Sequence, residues 1–600
     1  MDNEKRVLLA IVLSIIVLYI YQAYFAPPPP QRVPESAQPE YQPQKEIPPP
    51  EVKAPLSMTK TKIKSLPQLT DDFPATPEKK VSVSTDMFTA VFSANSARLQ
   101  SFKLHRYKDK IESPAVVKFI KKIFSGDSGD EVSVEDQRFK EIIQLHQHPR
   151  DLPLRTSFID TNGSPYSKTG WQPDKDNLVL GSFNPKDSLT FTQTDARGLA
   201  MQKKFLFNQK DYKIDFAFTL SNTSTDTREG NAFIEWTAPY PSENGGGFFG
   251  AGAYNVPRFA YFIKEKVEKK ELRKIKDVIT LEGDIFWTSI EEKYFTSAIV
   301  PKDQKPSQVR IGKTSEKVVA YQLLYPVISL KPGEEKAYSF SLYIGPKDID
   351  ILKQQGARLE KTIDFGIFDI LSKPLLLSLK FFYKFLGNYG LAIILITVII
   401  KIIFWPLTHK SFKSMQGMQK IQPEIAKLKE KYKNNKEEFA RQQMGLYKKF
   451  KVNPLGGCLP MLLQIPVFIA LYRVLGDSIE LRHANFISFW INDLSAKDPT
   501  YVAPIIMGLS MLIQQKMTPT AADPTQAKMM MFMPIIFTVM FLNFPSGLVI
   551  YWLVNNVLSI AQQLYTNKKS KSHDAGGKEC SPSKSKQKLS KKQSQKHVKN

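Results

Sequence analysis

Residues 391–407, LAIILITVIIKIIFWPL, constrain this 600-residue chain more than any other stretch. A run this long and apolar is absorbed only by a bilayer or a large core, and a bilayer is spanned by about 20 such residues. Inside hydrocarbon the backbone must satisfy its own hydrogen bonds, so the run is expected to be helical. Comparable runs occur at 7–25, 455–475, 500–516, 528–544 and 546–565. The expected fold is an α-helical polytopic membrane protein with six transmembrane helices.

Charge orients them. The formal net charge is +25, and it is unevenly placed: residues 407–454 carry twelve Lys/Arg against four Asp/Glu, and 566–600 carry eleven against two. Together with Lys5 and Arg6, these blocks put both termini and the 407–454 loop on the cytoplasmic side under the positive-inside rule, and 477–498 and the FPSG turn outside. Such basic blocks also attract phosphate-rich partners, either anionic lipids or RNA. The first run reads as a retained anchor, residues 1–26. A signal-peptide cut after Ala26 would place Tyr24 where a small residue is needed and Pro27 just beyond it.

Residues 27–80 are too rich in Pro, Gln, Glu and Lys to pack and read as an extended linker. From 81 the period becomes two, in VSVSTDMFTAVFS, SLTFTQT, AMQKKFLFNQKDYKIDFAFTLSN, KVVAYQLLYPVISL and KAYSFSLYIG. Alternation with β-branched and aromatic residues predicts a large β-sandwich domain over 81–362, placed outside the cytoplasm by the anchor. The glycine-rich ENGGGFFGAG, 243–252, lacks the lysine of a phosphate-binding loop and reads as a loop. His146 and His148 have no accompanying carboxylate or cysteine cluster, so no metal site is expected. The two cysteines, Cys458 and Cys580, form no disulfide framework.

Within 363–387, Asp369, Lys373, Lys380 and Lys384 fall in an arc of roughly 60° on an otherwise apolar helix. Such a narrow polar stripe predicts a helix lying in the outer membrane interface. The five remaining spans form a core, 388–565, interrupted by residues 408–453. There Ile421, Ile425, Leu428 and Tyr432, then Phe439, Gln443, Leu446 and Phe450, recur at helical spacing on either side of KNNK. Two helices folded back as a hairpin are expected, followed after the core by a basic tail, 566–600.

Lys401 stands inside its span, roughly 6 to 9 Å from the cytoplasmic end. Its stem can snorkel to the interface, or its ammonium can occupy a wet cavity. The company favours the cavity: Thr397 lies one turn away, and neighbouring spans bring Gln464, Gln514, Gln515, Asn555 and Asn556. No span carries a carboxylate near its middle, so a buried ion pair is not expected. A positively charged recess open to the cytoplasm follows.

NPLGGCLPMLLQIPVFIALY (453–472), ELRHANF, DLSAKDP, PIIMGLSMLIQQKMTP, MMMFMPIIFTVMFLNFPSGLVIYW and NNVLSIAQQ closely resemble the YidC/Oxa membrane protein insertases, in particular the six-span branch of Gram-negative bacteria. The resemblance covers about 365–565. It implies an inner-membrane insertase and chaperone with a five-helix core, a hydrophilic groove open to cytoplasm and lipid, and a periplasmic β-sandwich like that of sugar mutarotases, without catalysis or cofactor. It places Lys401 where the family usually has arginine, Thr397 in the groove, and Tyr551 and Trp552 at an aromatic pair that contacts substrate. Gln464 and Asn555 join them as groove candidates. Lysine lacks the guanidinium fork, so bidentate carboxylate capture is not expected. Implied partners are nascent membrane proteins, the Sec translocon, ribosomes on the basic tail, and the signal recognition particle and its receptor on the hairpin; anionic lipids follow from the charge. The rival readings are a transporter of an anionic solute, which predicts inverted repeats that the core lacks, and an envelope enzyme seated in the β-domain.

Overall fold

The structure is a computed structural model that describes residues 79–109, 111, 113–119, 139–143, 151–161, 170–241, 256–433, 435–450, 452, 459–517 and 524–576. The expected anchor, nearly all of the linker, the histidine pair, the glycine-rich loop, both cysteines and the tail beyond 576 lie outside them.

Strands run from Lys80 to Pro346 and make a nine-stranded sheet and two five-stranded sheets. Their period-two alternation is direct. In Lys213–Asn222, Ile214, Phe216, Phe218 and Leu220 are buried while the residues between them are partly exposed. Phe216 faces Phe340 on one neighbouring strand and Phe205 on the other, giving an aromatic row across the nine-stranded sheet. Phe205 lies 5.0 Å from Phe92 of one five-stranded sheet, and Phe340 lies 6.1 Å from Tyr325 of the other. One face of the large sheet therefore packs against both smaller ones, a sandwich whose core is aromatic.

Helices follow. The first, α1 (Ile349–Gln355), is capped by Asp348, whose carboxylate accepts from the backbone N–H groups of Asp350 and Ile351. The second, α2 (Asp369–Leu386), carries the predicted stripe, and Ser372, Leu376 and Leu379 are its buried residues. Lys380 points inward to Asp348 at 3.1 Å, Asp350 at 2.8 Å and Glu480 at 3.1 Å, and Lys373 pairs with Asp369 at 2.6 Å. Burial alone would push the Lys380 pKa down; the surrounding carboxylates, Glu480 foremost, outweigh it and hold the ammonium charged. Ile370, Leu377, Phe381 and Phe385 are left exposed. Lys380 thus docks on the protein while Lys384 is exposed, and an apolar face is presented outward.

The long helix α3 (Tyr389–Lys431) runs without a break through the expected boundary at 407–408. Span and first hairpin arm are one helix of 43 residues running through Pro406 and Pro423. Asn388 caps it, accepting from the Leu391 N–H at 3.1 Å and donating to the Phe486 carbonyl at 3.0 Å. The second arm, α4 (Lys436–Lys449), returns along it, bringing Val452 beside Gly417, with Ile421 and Ile425 buried. The remaining helices are α5 (Leu459–Asp477), α6 (Val502–Met517), α7 (Pro524–Phe541) and α8 (Ser546–Gly576).

Among the described residues, α3 alone is long and apolar enough to cross a bilayer by itself, and Met530–Phe541 is a shorter apolar stretch. Only 28% of the α3 apolar window is buried within the protein. On α6, Ile505, Leu509 and Ile513 form an exposed face at i, i+4 spacing while Ala503, Met507 and Ser510 face inward. Phe532, Ile535, Ile536 and Val539 of α7 are likewise exposed. Exposed apolar faces this extensive mark a surface that meets lipid or another protein.

Candidate functional site

Helix α8 is the organising element of the helical core. Its polar residues recur every three or four positions, so they form stripes that face different neighbours. One stripe meets α3. Lys401 donates from Nζ to Asn555 Oδ1 at 3.0 Å and to Ser559 Oγ at 2.6 Å, and the Ser559 hydroxyl donates onward to the Asn555 carbonyl at 2.7 Å. Further along α3, Gln562 Nε2 donates to Thr408 Oγ1 at 2.7 Å, His409 Nδ1 and Thr566 Oγ1 lie 3.3 Å apart, and Gln416 Nε2 donates to Asn567 Oδ1 at 2.6 Å. The second stripe meets α6, where Asn556 Nδ2 donates to Ser510 Oγ at 3.0 Å and Gln563 Nε2 donates to the Met517 carbonyl at 2.8 Å.

The ammonium is therefore not held by water alone, as the absence of carboxylates on the spans suggested. Two neutral oxygens one helical turn apart on α8 take two of its three N–H donors. Neutral acceptors leave the positive charge uncancelled. Lys401 is partly exposed, and its third donor has no acceptor among the described residues.

The other predicted residues separate. Thr397 is 1% exposed and its hydroxyl donates back to the Ile393 carbonyl at 2.6 Å. A hydroxyl in an apolar helix satisfies itself this way when no partner helix offers an acceptor. Tyr551 is 1% exposed, with its hydroxyl hydrogen-bonded to Gln464 of α5. It belongs to the helix packing and is not a surface aromatic. Trp552 is only partly buried and closes an aromatic cluster, 4.9 Å from Phe468 of α5 and 5.4 and 6.0 Å from Phe541 and Phe537 of α7. Its Nε1–H is buried without an acceptor among the described residues. Of the six candidates, Lys401 and Asn555 share one contact, Gln464 and Tyr551 another, and Thr397 and Trp552 stand apart.

Ser559, Gln562 and Thr408 were missed. Their signal was available as the helical spacing Asn555, Ser559, Gln562, Thr566 on an apolar segment.

Family descriptions match two parts of the chain: "60Kd inner membrane protein" over residues 381–573 and "YidC periplasmic domain" over 136–378. Among curated relatives, a membrane protein insertase YidC of Geotalea daltonii is 42% identical over 566 residues, 94% of this chain and 99% of that protein. One of Syntrophus aciditrophicus is 39% identical over 576 residues, again 94% of this chain and 99% of that protein. Among solved structures, an active YidC insertase with its first transmembrane domain resolved covers 84% of this chain and 94% of its own at 17% identity and a TM-score of 0.35, too loose a superposition to argue from.

Proposed function

Since the chain belongs to the YidC family of membrane protein insertases, we propose that it moves the hydrophilic flanks of nascent membrane proteins across the inner membrane at the α3–α8 seam, with Lys401 as the attracting charge. The observation that carries this reading is the ammonium held by two neutral oxygens with one donor to spare. A single point donor suits one carboxylate oxygen or one backbone carbonyl at a time. An acidic or amide-rich flank is drawn to the seam, exchanges part of its hydration for the polar stripe of α8, and the apolar span that follows passes to lipid along the exposed faces of α3 and α6. Transfer of about 20 apolar residues to lipid is downhill, so the protein only lowers the cost of the polar flank.

The proposed topology has six spans, including the anchor at 7–25, with both termini cytoplasmic, the sandwich periplasmic and α2 in the outer interface. The outward apolar face of α2 supports that last placement. The α3–α4 hairpin and the basic tail are proposed to receive the signal recognition particle, its receptor and the ribosome, with the Sec translocon as an occasional partner and anionic lipids against the basic loop. No covalent chemistry is proposed. Transport of an anionic solute is disfavoured because the seam ends on neutral amides and hydroxyls along one helix pair, without a second half related by an inverted repeat.

Photo-crosslinkers at 401 and 555, the two partners at the seam, should form adducts with a ribosome-stalled membrane protein, and those at 397 and 551, each only 1% exposed against 8% for Asn555, should form fewer. Lys401→Ala should cut insertion of substrates with acidic translocated flanks by about tenfold or more, the worth of a charge-assisted hydrogen bond, and Lys401→Arg should retain it. Full insertion by the Ala variant, with no adduct at either seam position, would sink the seam as the route.

A further inference from the structure

A cavity lies where the β-region meets the helices. Arg258, Glu291 and Lys347 line it from the strand side, and Leu376, Arg473 and Glu480 from the helical side. Its charges are incompletely matched. Glu291 is 2% exposed; its Oε2 lies 3.1 Å from Lys269 Nζ and 3.9 Å from Lys347 Nζ, while its Oε1 is buried with no hydrogen-bond partner among the described residues. Glu480 is 5% exposed; its Oε1 faces Lys380 at 3.1 Å and its Oε2 is likewise buried without a partner. Lys347 is 13% exposed, and among the described residues the 3.9 Å approach to Glu291 is its one ionic contact. Each buried polar atom left unmatched costs about 1–3 kcal/mol. Two carboxylate oxygens without a partner among the described residues, beside a buried lysine whose ion pair is 3.9 Å long, call for a ligand that is both an N–H donor and an anion.

Position narrows the source. Arg473, together with Asp477 and Ser478 at the end of α5, forms the cavity floor, and Leu376 is on the inner face of α2, whose opposite face exposes Ile370, Leu377, Phe381 and Phe385. On the reading above that α5 crosses the membrane, this is the depth of the outer-leaflet head groups. We propose that the cavity binds the phosphoethanolamine head group of an outer-leaflet phospholipid, with the phosphate toward Lys347, Arg258 and Arg473 and the ammonium donating to Glu291 Oε1 and Glu480 Oε2. Phosphatidylcholine has the same charges but no N–H, and phosphatidylglycerol has no cation, so neither completes the cavity. Burial pushes the Lys347 pKa down to about 8, and a phosphate beside the ammonium would raise it again.

The test uses the full-length chain in nanodiscs of equal phosphatidylethanolamine, phosphatidylcholine and phosphatidylglycerol, with retained lipid read by native mass spectrometry. Phosphatidylethanolamine should be enriched about tenfold over phosphatidylcholine. The enrichment should fall to parity in Lys347→Met and Glu291→Gln variants that unfold no lower than wild type. Equal retention of the two lipids in the wild type, or enrichment untouched in both variants, overturns the site; preference for phosphatidylglycerol overturns the zwitterion. Glycerophosphoethanolamine in solution should displace less than a tenth of the lipid, and full displacement at equal concentration would overturn the lipid as the source. Insertion activity is not read, so a failed seam and a failed cavity are distinguishable.

Discussion

The lysine at 401 is held by a hydroxyl and an amide one turn apart, and that choice of partners explains how a charge survives among apolar helices without being cancelled. A carboxylate in place of Asn555 would neutralise the seam. Ser559→Ala should lower unfolding stability in detergent by about 1 kcal/mol, the usual worth of one interhelical hydrogen bond, while Ser559→Thr keeps it; scanning calorimetry of both variants decides. Lys347 makes the opposite case. Burial depresses its pKa to about 8, with Glu291 and Asp477 pulling it up and Lys269 and Arg258 pushing it further down. The unfolded lysine keeps its proton to about 10.5, so between these values unfolding takes up a proton and stability rises with pH. Below pH 8 both states are charged and the cost is constant. The melting temperature of Lys347→Met should therefore exceed wild type at pH 7, and the gap should close between pH 8 and 10. The lone lysine and the amides were legible in the sequence because polar residues stand out in apolar runs. Their pairing was not, since Lys401 and Asn555 are 154 positions apart.

Helices meet closely only where the sequence permits it. A Cβ on Gly390 would lie 2.1 Å from the Phe486 ring, and one on Gly508 would lie 2.1 Å from Thr538 Oγ1. Gly390→Ala should destabilise by more than about 2 kcal/mol through overpacking, and Phe486→Leu in the same chain should recover part of the loss; additive effects in a double-mutant cycle would show that the two do not touch. Periodicity found the strands whose alternation is clean, such as Leu199–Asn208 and Lys213–Asn222. It passed over Lys266–Glu271, KVEKKE, which pairs with Arg258–Ile263 through Lys264 and Glu265, both at positive φ. No Gly or Asn marks that turn, so no local hairpin signal existed. The stripe on α2 was legible in the sequence, but that its Lys380 meets three carboxylates was not. Its partners Asp348 and Glu480 come from separate segments, and periodicity says which residues share a face without saying what that face meets.

At the scale of the molecule, the sandwich and the helices are joined by specific polar contacts. Arg482 donates from Nη2 to the carbonyls of Lys108 at 2.8 Å and Asp109 at 3.1 Å, its guanidinium 5.4 Å from the Phe295 ring. The Tyr294 hydroxyl donates to the Gly476 carbonyl at 3.1 Å, and the Val116 N–H to the Phe489 carbonyl at 3.2 Å. Arg482→Met should speed amide exchange at 113–119 and 477–498 and leave Lys213–Asn222 unchanged; identical exchange throughout would show that Arg482 is not what holds the two parts together. The helical core itself has a further mechanical property. Helix α3 runs unbroken for 43 residues, and about 45 Å of it lies beyond Lys401 toward Lys431. A tilt of about 10° at Lys401 sweeps that far end through about 8 Å. Whatever grips the tip holds a lever arm, and the torque it applies is resisted at the fulcrum by Asn555 and Ser559, the two oxygens that aim the ammonium.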